Sequence, residues 1–226
     1  MCTTCARSHQ QVRNAVSNEE AERFRKDLLG HLKGTFQDRS VYAMFSAASV
    51  ECTAGGVGRV PDESSVLAMC LDGMDQAKFK IPRNLQNTKQ WEDAWRPTAH
   101  LIGCLIHGVG EAFWISDADL PKNASLTCEL ISRALDITAV QLKERGVSMP
   151  KHLYVQVDNT SRENKNVTVL KFCAWLVAQG CFRSTSLNFM CVGHTHIDVD
   201  QRFANVGSAL SKEQVLETPP WISRRP

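Results

Sequence analysis

Long apolar runs are missing from this chain. No window of about 18 uninterrupted apolar residues occurs, which excludes a membrane-spanning helix. A surplus of one charge is missing too. The 226 residues carry 26 Lys+Arg against 24 Asp+Glu, and a net of +2 is too small to argue nucleic-acid binding by itself. There is no secretory leader, and the nine cysteines are an odd number. Several of them (Cys70, Cys104, Cys173, Cys191) sit singly in apolar runs, where a thiol behaves as a small hydrophobe. A reducing compartment is therefore expected, and sequons such as Asn123-Ala-Ser125 are read as chance matches. Gly55, Gly56 and Gly58 lack a preceding strand and a following Gly-Lys-Ser/Thr, so they read as a linker and not as a phosphate cradle.

What is present is the make-up of an ordinary globular domain. Apolar residues are 43% and charged residues 22%, enough to build a core. Residues 10–45 read as a helix, with Phe24, Leu28 and Leu32 on one face. Ahead of it, Cys2, Cys5 and His9 have the spacing of part of a structural zinc site. His31 is the nearest candidate for a fourth ligand, and the competing reading is a frayed terminus.

A strand is expected at Val66–Leu71, ending at Asp72. A polar excursion follows over 73–97. Ala99–His107 and Glu111–Ser116 flank Gly108-Val109-Gly110 and read as a hairpin. Next come a helix over 125–145, a strand at His152–Val157 ending at Asp158, and a helix over Glu163–Gln179. A strand at Leu187–Val192 and a last helix with Val199, Phe203, Val206 and Leu210 as its stripe complete the pattern. Three consecutive strands followed by helix-strand-helix-strand-helix predict an α/β fold with a mixed five-stranded sheet, its later strands parallel. The expected organisation is an N-terminal helical segment over 1–58, the α/β domain over 60–212 and a disordered tail over 213–226.

Acidic residues recur at strand ends. Asp72 ends the first strand, Asp158 ends the fourth, and Asp198 and Asp200 stand at the start of the last helix. Taken singly, an aspartate in such a place is a turn former or a helix cap. If strands one and four are neighbours, though, Asp72 and Asp158 come together, because paired strands lie about 4.8 Å apart. Clustered carboxylates repel unless a cation neutralises them, and hard oxygen ligands select Mg²⁺ or Mn²⁺. Two such ions about 4 Å apart can cleave a phosphodiester. Asp198 competes with Asp200 for the third place.

Leu71-Asp-Gly-Met-Asp-Gln-Ala-Lys-Phe79, Val157-Asp-Asn-Thr-Ser-Arg-Glu-Asn-Lys-Asn166 and Val192-Gly-His-Thr-His-Ile-Asp-Val-Asp-Gln-Arg-Phe203 carry a resemblance. With the element order, they resemble the ribonuclease-H-like DDE/D transposases and integrases. More narrowly, they are similar to a domain family of transposon-derived eukaryotic proteins. The resemblance implies a ribonuclease-H-like fold and a nuclease or integrase-like domain acting on DNA with two Mg²⁺ or Mn²⁺ ions. Asp72, Asp158 and Asp200 would be the acids, with Asp198 as a further metal contact. His194 would contact the substrate phosphate, and Asn159 and Asn164 would orient the acids or contact DNA. It also implies work in the nucleus, with homo-oligomers in view.

Two other classes compete. A catalytically inactive relative would persist as a DNA-binding or protein-interaction module. In that reading Lys78, Lys80, Arg83 and Lys89, with Phe79 and Trp91 interleaved, would grip a phosphate backbone. A calcineurin-like metallophosphoesterase would use the two histidines of Gly193-His-Thr-His196, but an early Asp-x-His and a Gly-Asn-His-Asp/Glu are absent.

Overall fold

A computed structural model describes residues 2–54, 62–74, 83–84, 99–117, 119–191, 198–212 and 215–216. The glycine-bearing linker at 55–61, most of the polar excursion and the Gly-His-Thr-His segment lie outside the described residues. The strands are β1 (Val66–Gly73), β2 (Arg83–Asn84), β3 (Ala99–Ile106), β4 (Gly110–Asp117), β5 (His152–Val157), β6 (Ser184–Phe189) and β7 (Val215–Leu216). The helices are α1 (Thr3–Asn14), α2 (Asn18–Thr53), α3 (Ala124–Glu144), α4 (Val167–Ala178) and α5 (Asp198–Lys212).

Five strands form one sheet in the order β4-β3-β1-β5-β6. β1 pairs antiparallel with β3, and β3 with β4, while β1, β5 and β6 run parallel. This is the ribonuclease-H-like arrangement expected from three strands in a row followed by two crossovers. β2 and β7 pair separately, Arg83 opposite Leu216 and Asn84 opposite Val215, so the stretch taken as a disordered tail contributes a short strand.

The central strand β1 is buried on both faces, which is why Val66–Leu71 reads as an unbroken apolar run. Leu67, Met69 and Leu71 join the core under α3 and α4, built on Leu130, Ile131, Ala134, Val169 and Leu176. Val66, Ala68 and Cys70 face the other way, against Tyr42 of α2 and Val199 and Phe203 of α5. α2 is therefore part of the domain's second face, with α1 packed against it.

Three boundaries differ from those read in the sequence. The expected single N-terminal helix is two, broken at Ala15–Ser17. Ser17 caps α2 by accepting from Glu20 N–H at 3.1 Å, and Glu20 accepts in return from Val16 N–H at 3.0 Å. Leu32, expected on the buried stripe, is exposed. The buried side of α2 carries Ala21, Thr35, Tyr42, Ser49 and Thr53, because its contacts with the sheet are hydrogen bonds to the β3–β4 turn. The helix expected from Glu163 starts at Val167, since Asn166 caps it by accepting from Thr168 and Val169 N–H, both at 3.1 Å. β6 begins at Ser184, earlier than expected. It is an edge strand whose pairing with β5 runs from Ser184 to Phe189, so polar residues are tolerated.

Gly108 is fixed by close packing. Its φ is +81°, and a Cβ there would lie 2.0 Å from Thr53 Oγ1 and 2.7 Å from Val50 Cα. Only glycine lets α2 cross the hairpin this closely.

Candidate functional site

The sheet register assembles the acids. Val66 pairs with His152 and Cys70 with Gln156, and the same offset carried two residues further sets Asp72 opposite Asp158. Both lie at the carboxyl ends of parallel strands, the edge where open α/β sheets collect ligands. One cavity there is lined by Asp72, Asp158, Lys122, Thr127, Glu163 and Asn164.

Asp158 is held firmly on one oxygen. Its Oδ1 accepts from Thr160 N–H at 3.3 Å, from Thr160 Oγ1 at 2.6 Å and from Asn164 Nδ2. Asn164 is buried, and its own Oδ1 accepts from Thr127 Oγ1 of α3 at 3.0 Å. The side chain of Asp158 is thus oriented by a chain of hydrogen bonds that reaches α3. Among the described residues every hydrogen bond given to this carboxylate goes to Oδ1. Asn159 beside it is half-buried.

Asp72 accepts from Gly73 N–H at 2.7 Å. Burial pushes its carboxyl up to about 7, with Asp200 and Asp158 adding repulsion and the Gly73 N–H and Lys122 opposing it. Lys122 sits close by, since a Cβ on Gly73 would lie 3.3 Å from its Nζ.

The third acid is separated from its neighbour by the opposite face of α5. Asp198 accepts from the Tyr42 hydroxyl at 3.3 Å, and that hydroxyl also lies 2.9 Å from His107 Nε2. Burial raises the Tyr42 phenol and lowers the His107 imidazole. Asp198 is therefore engaged with α2, while Asp200, half-buried in the first turn of α5, acts on Asp72. What lets α5 come this close is Gly103, the residue paired with Asp72 across β1 and β3. A Cβ on Gly103 would meet Phe203 at 3.0 Å and Phe113 at 3.1 Å. The missing side chain makes room for the Phe203 ring, three residues past Asp200 on the same helix.

Lys122, Thr127, Glu163, Gly103 and Tyr42 were not legible as site residues. Each owes its place to a pairing or packing contact distant in sequence. The proposed substrate contacts His194 and Lys78 lie outside the described residues, as does His196. Arg83 is described only as part of β2.

At the N-terminus, Cys2, Cys5 and His31 have their ligand atoms within 4.8 Å of one another, the one such trio of His, Cys, Asp or Glu among the described residues. His9 is exposed and outside it. The backbone N–H of Cys5 holds the Cys2 thiol down to about 6, with His31 adding to the effect. The three aspartates are spaced more widely than this trio. Their donor set is carboxylate oxygen throughout, and the Asp72 carboxyl is raised by burial first and by the charges of Asp200 and Asp158 after it. Both features fit hard divalent cations.

Fold and acids together define a ribonuclease-H-like α/β domain with an acidic edge at β1 and β5. The chain belongs to the family described as Domain of unknown function (DUF7869), which matches residues 89–223 and so takes in Asp158 and Asp200 but not Asp72. No curated protein sequence matches it. Among solved structures it is similar to the catalytic domain of Mos1 mariner transposase, at 10% identity and a TM-score of 0.46, over 86% of this chain and 81% of that one. It is also similar to the Mos1 transposase paired-end complex with left transposon end, at 10% identity and a TM-score of 0.41, over 98% and 71%. A third is the Mos1 strand transfer complex, at 10% and 0.38, over 71% and 48%. At such distance the likeness does not speak to chemistry, which has to be read from the residues. No helix among the described residues is long and apolar enough to cross a membrane.

Proposed function

We propose that this domain is a transposase-derived, divalent-metal-dependent nuclease or integrase-like unit that acts on DNA phosphodiesters. The observation that carries the reading is the meeting of Asp72, Asp158 and Asp200 at one sheet edge, where Asp72 is raised by burial and by the charge of the other two. Asp72, Asp158 and Asp200 would hold Mg²⁺ or Mn²⁺. Such ions lower the pKa of an attacking water and neutralise charge on the phosphoryl oxygens. Asp158 keeps its orientation through Thr160 and Asn164, which bond to its Oδ1. Among the described residues lining that cavity, Lys122 supplies the cation, placed to take a phosphate oxygen. Tyr42 and His107 fix the start of α5 by holding Asp198, and so fix Asp200 two residues on. DNA as substrate makes the nucleus the working compartment.

The test is nicking of supercoiled plasmid with Mn²⁺. Asp72→Ala and Asp158→Ala should each lower the rate by at least about a hundredfold with the fold unchanged by circular dichroism. Asp200→Ala should do the same, whereas Asp198→Ala, which removes only the contact with Tyr42 that positions Asp200, should lower the rate less. Equal rates in all four variants would refute the acid assignment. DNA retention that falls with salt, without turnover in any divalent ion, would assign a binding module instead.

A further inference from the structure

The acid edge does not account for the thiols at the other end of the chain. Cys2 is buried just ahead of α1, Cys5 is half-buried in its first turn, and His31 is half-buried on α2. Cys2 Sγ lies 3.4 Å from His31 Nε2. In tetrahedral zinc, with Zn–S about 2.3 Å and Zn–N about 2.0 Å, that edge is about 3.5 Å. Cys5 Sγ lies within 4.8 Å of both atoms. A third thiol, Cys191, stands half-buried just past β6, near enough for its charge to act on Cys5 but outside the trio. Two sulfurs and one imidazole are a soft donor set, unlike the carboxylates of the acid edge, and they select Zn²⁺ over Mg²⁺ or Mn²⁺.

We propose that Cys2, Cys5 and His31 are three of the four ligands of a structural Zn²⁺ site that clamps α1 to α2. The thiols come from the start of α1 and the imidazole from α2, so the metal ties together residues far apart in the chain. α2 also carries the Tyr42 that holds Asp198, so the clamped helix is one that serves the acid edge. The site is independent of the nuclease reading and stands or falls on metal binding alone.

Metal content and Co²⁺ spectra of the full chain test it. Purified protein should carry about one equivalent of Zn²⁺. Co²⁺ added to chelator-stripped protein should give the intense visible bands of a tetrahedral site and a sulfur-to-cobalt charge-transfer band. Cys2→Ser, Cys5→Ser and His31→Ala should each fall below about a tenth of an equivalent, while His9→Ala keeps its metal. His31→Cys should retain the metal with a stronger charge-transfer band, which separates lost ligation from a failure to fold. Wild-type protein with no Zn²⁺ and only a pale octahedral Co²⁺ spectrum, or with a Cys2–Cys5 disulfide by mass, would overturn the proposal. Asp72→Ala should leave every one of these readouts unchanged.

Discussion

The two faces of the sheet are covered by different means. Under α3 and α4 the packing is mainly aliphatic, with Leu67, Met69, Ile131, Leu153, Val155 and Val169 buried together, and Thr127 and Thr138 are the polar residues that α3 buries. Under α2 and α5 the buried groups include Ser49, Thr53 and His107, and contacts are fixed by hydrogen bonds as much as by area. Ser49 Oγ donates to His107 C=O at 2.8 Å and accepts from Ala68 N–H at 2.9 Å, tying α2 to β1 and the hairpin at once. Aliphatic packing is non-directional and tolerates small shifts, whereas hydrogen bonds fix register and angle. The face that must position the third acid is the one built from directional contacts.

Substitutions can break this contrast, and Gly108→Val should do the most damage. The new side chain would collide with the α2 backbone at a positive φ, so loss of the folded state or a cost of at least about 3 kcal/mol is expected by urea unfolding. Ile131→Ala, on the aliphatic face, should cost about 2–5 kcal/mol and leave the activity per folded molecule unchanged. Gly103→Ala should reverse that pattern. The Phe203 and Phe113 rings must give by a few tenths of an ångström, costing about 1–2 kcal/mol, but Asp200 moves with α5, so nicking should fall far more than stability. Tyr42→Phe leaves His107 and Asp198 without their shared hydroxyl. It should cost about 1–2 kcal/mol in thermal or chemical unfolding and blunt the difference between Asp198→Ala and Asp200→Ala.

The smallest effect is on pH dependence. The folded carboxyl of Asp72 is raised to about 7 from an unfolded value near 3.8, so between these values the folded state binds the extra proton. Metal-free protein should therefore lose stability as pH rises from about 4 to about 7, by a few degrees in Tm. Asp72→Asn should flatten that slope, and added Mn²⁺ should reverse it. A melting profile that rises with pH over this window in the absence of metal would show that Asp72 is not raised.

The strands and their terminal acids were legible because a two-faced parallel strand needs an unbroken apolar run, and the chain must turn polar where it leaves the sheet. Val66–Leu71 with Asp72 and His152–Val157 with Asp158 both follow this rule. Residue pattern alone left Asp198 and Asp200 competing, and only the resemblance favoured Asp200. The structure adds that the hydroxyl of Tyr42, far back along the chain, reaches Asp198. Cys2 and Cys5 are set by one helical turn, and His31 was the nearest candidate to complete their site. It meets them because α1 folds back on α2, while His9, on the same helix as the thiols, lies outside the trio.

Local pattern thus determined the elements, their order, and two acids at strand ends, because hydrophobic periodicity and strand termination act over a few residues. The tertiary structure alone decided which acid Tyr42 engages, that Gly103 must be small, and that His31 and not His9 lies beside the thiols. Those facts depend on the register of β1 against β3 and β5 and on the angle at which α2 and α5 cross the sheet, and such contacts join residues too far apart in sequence for any local pattern to encode.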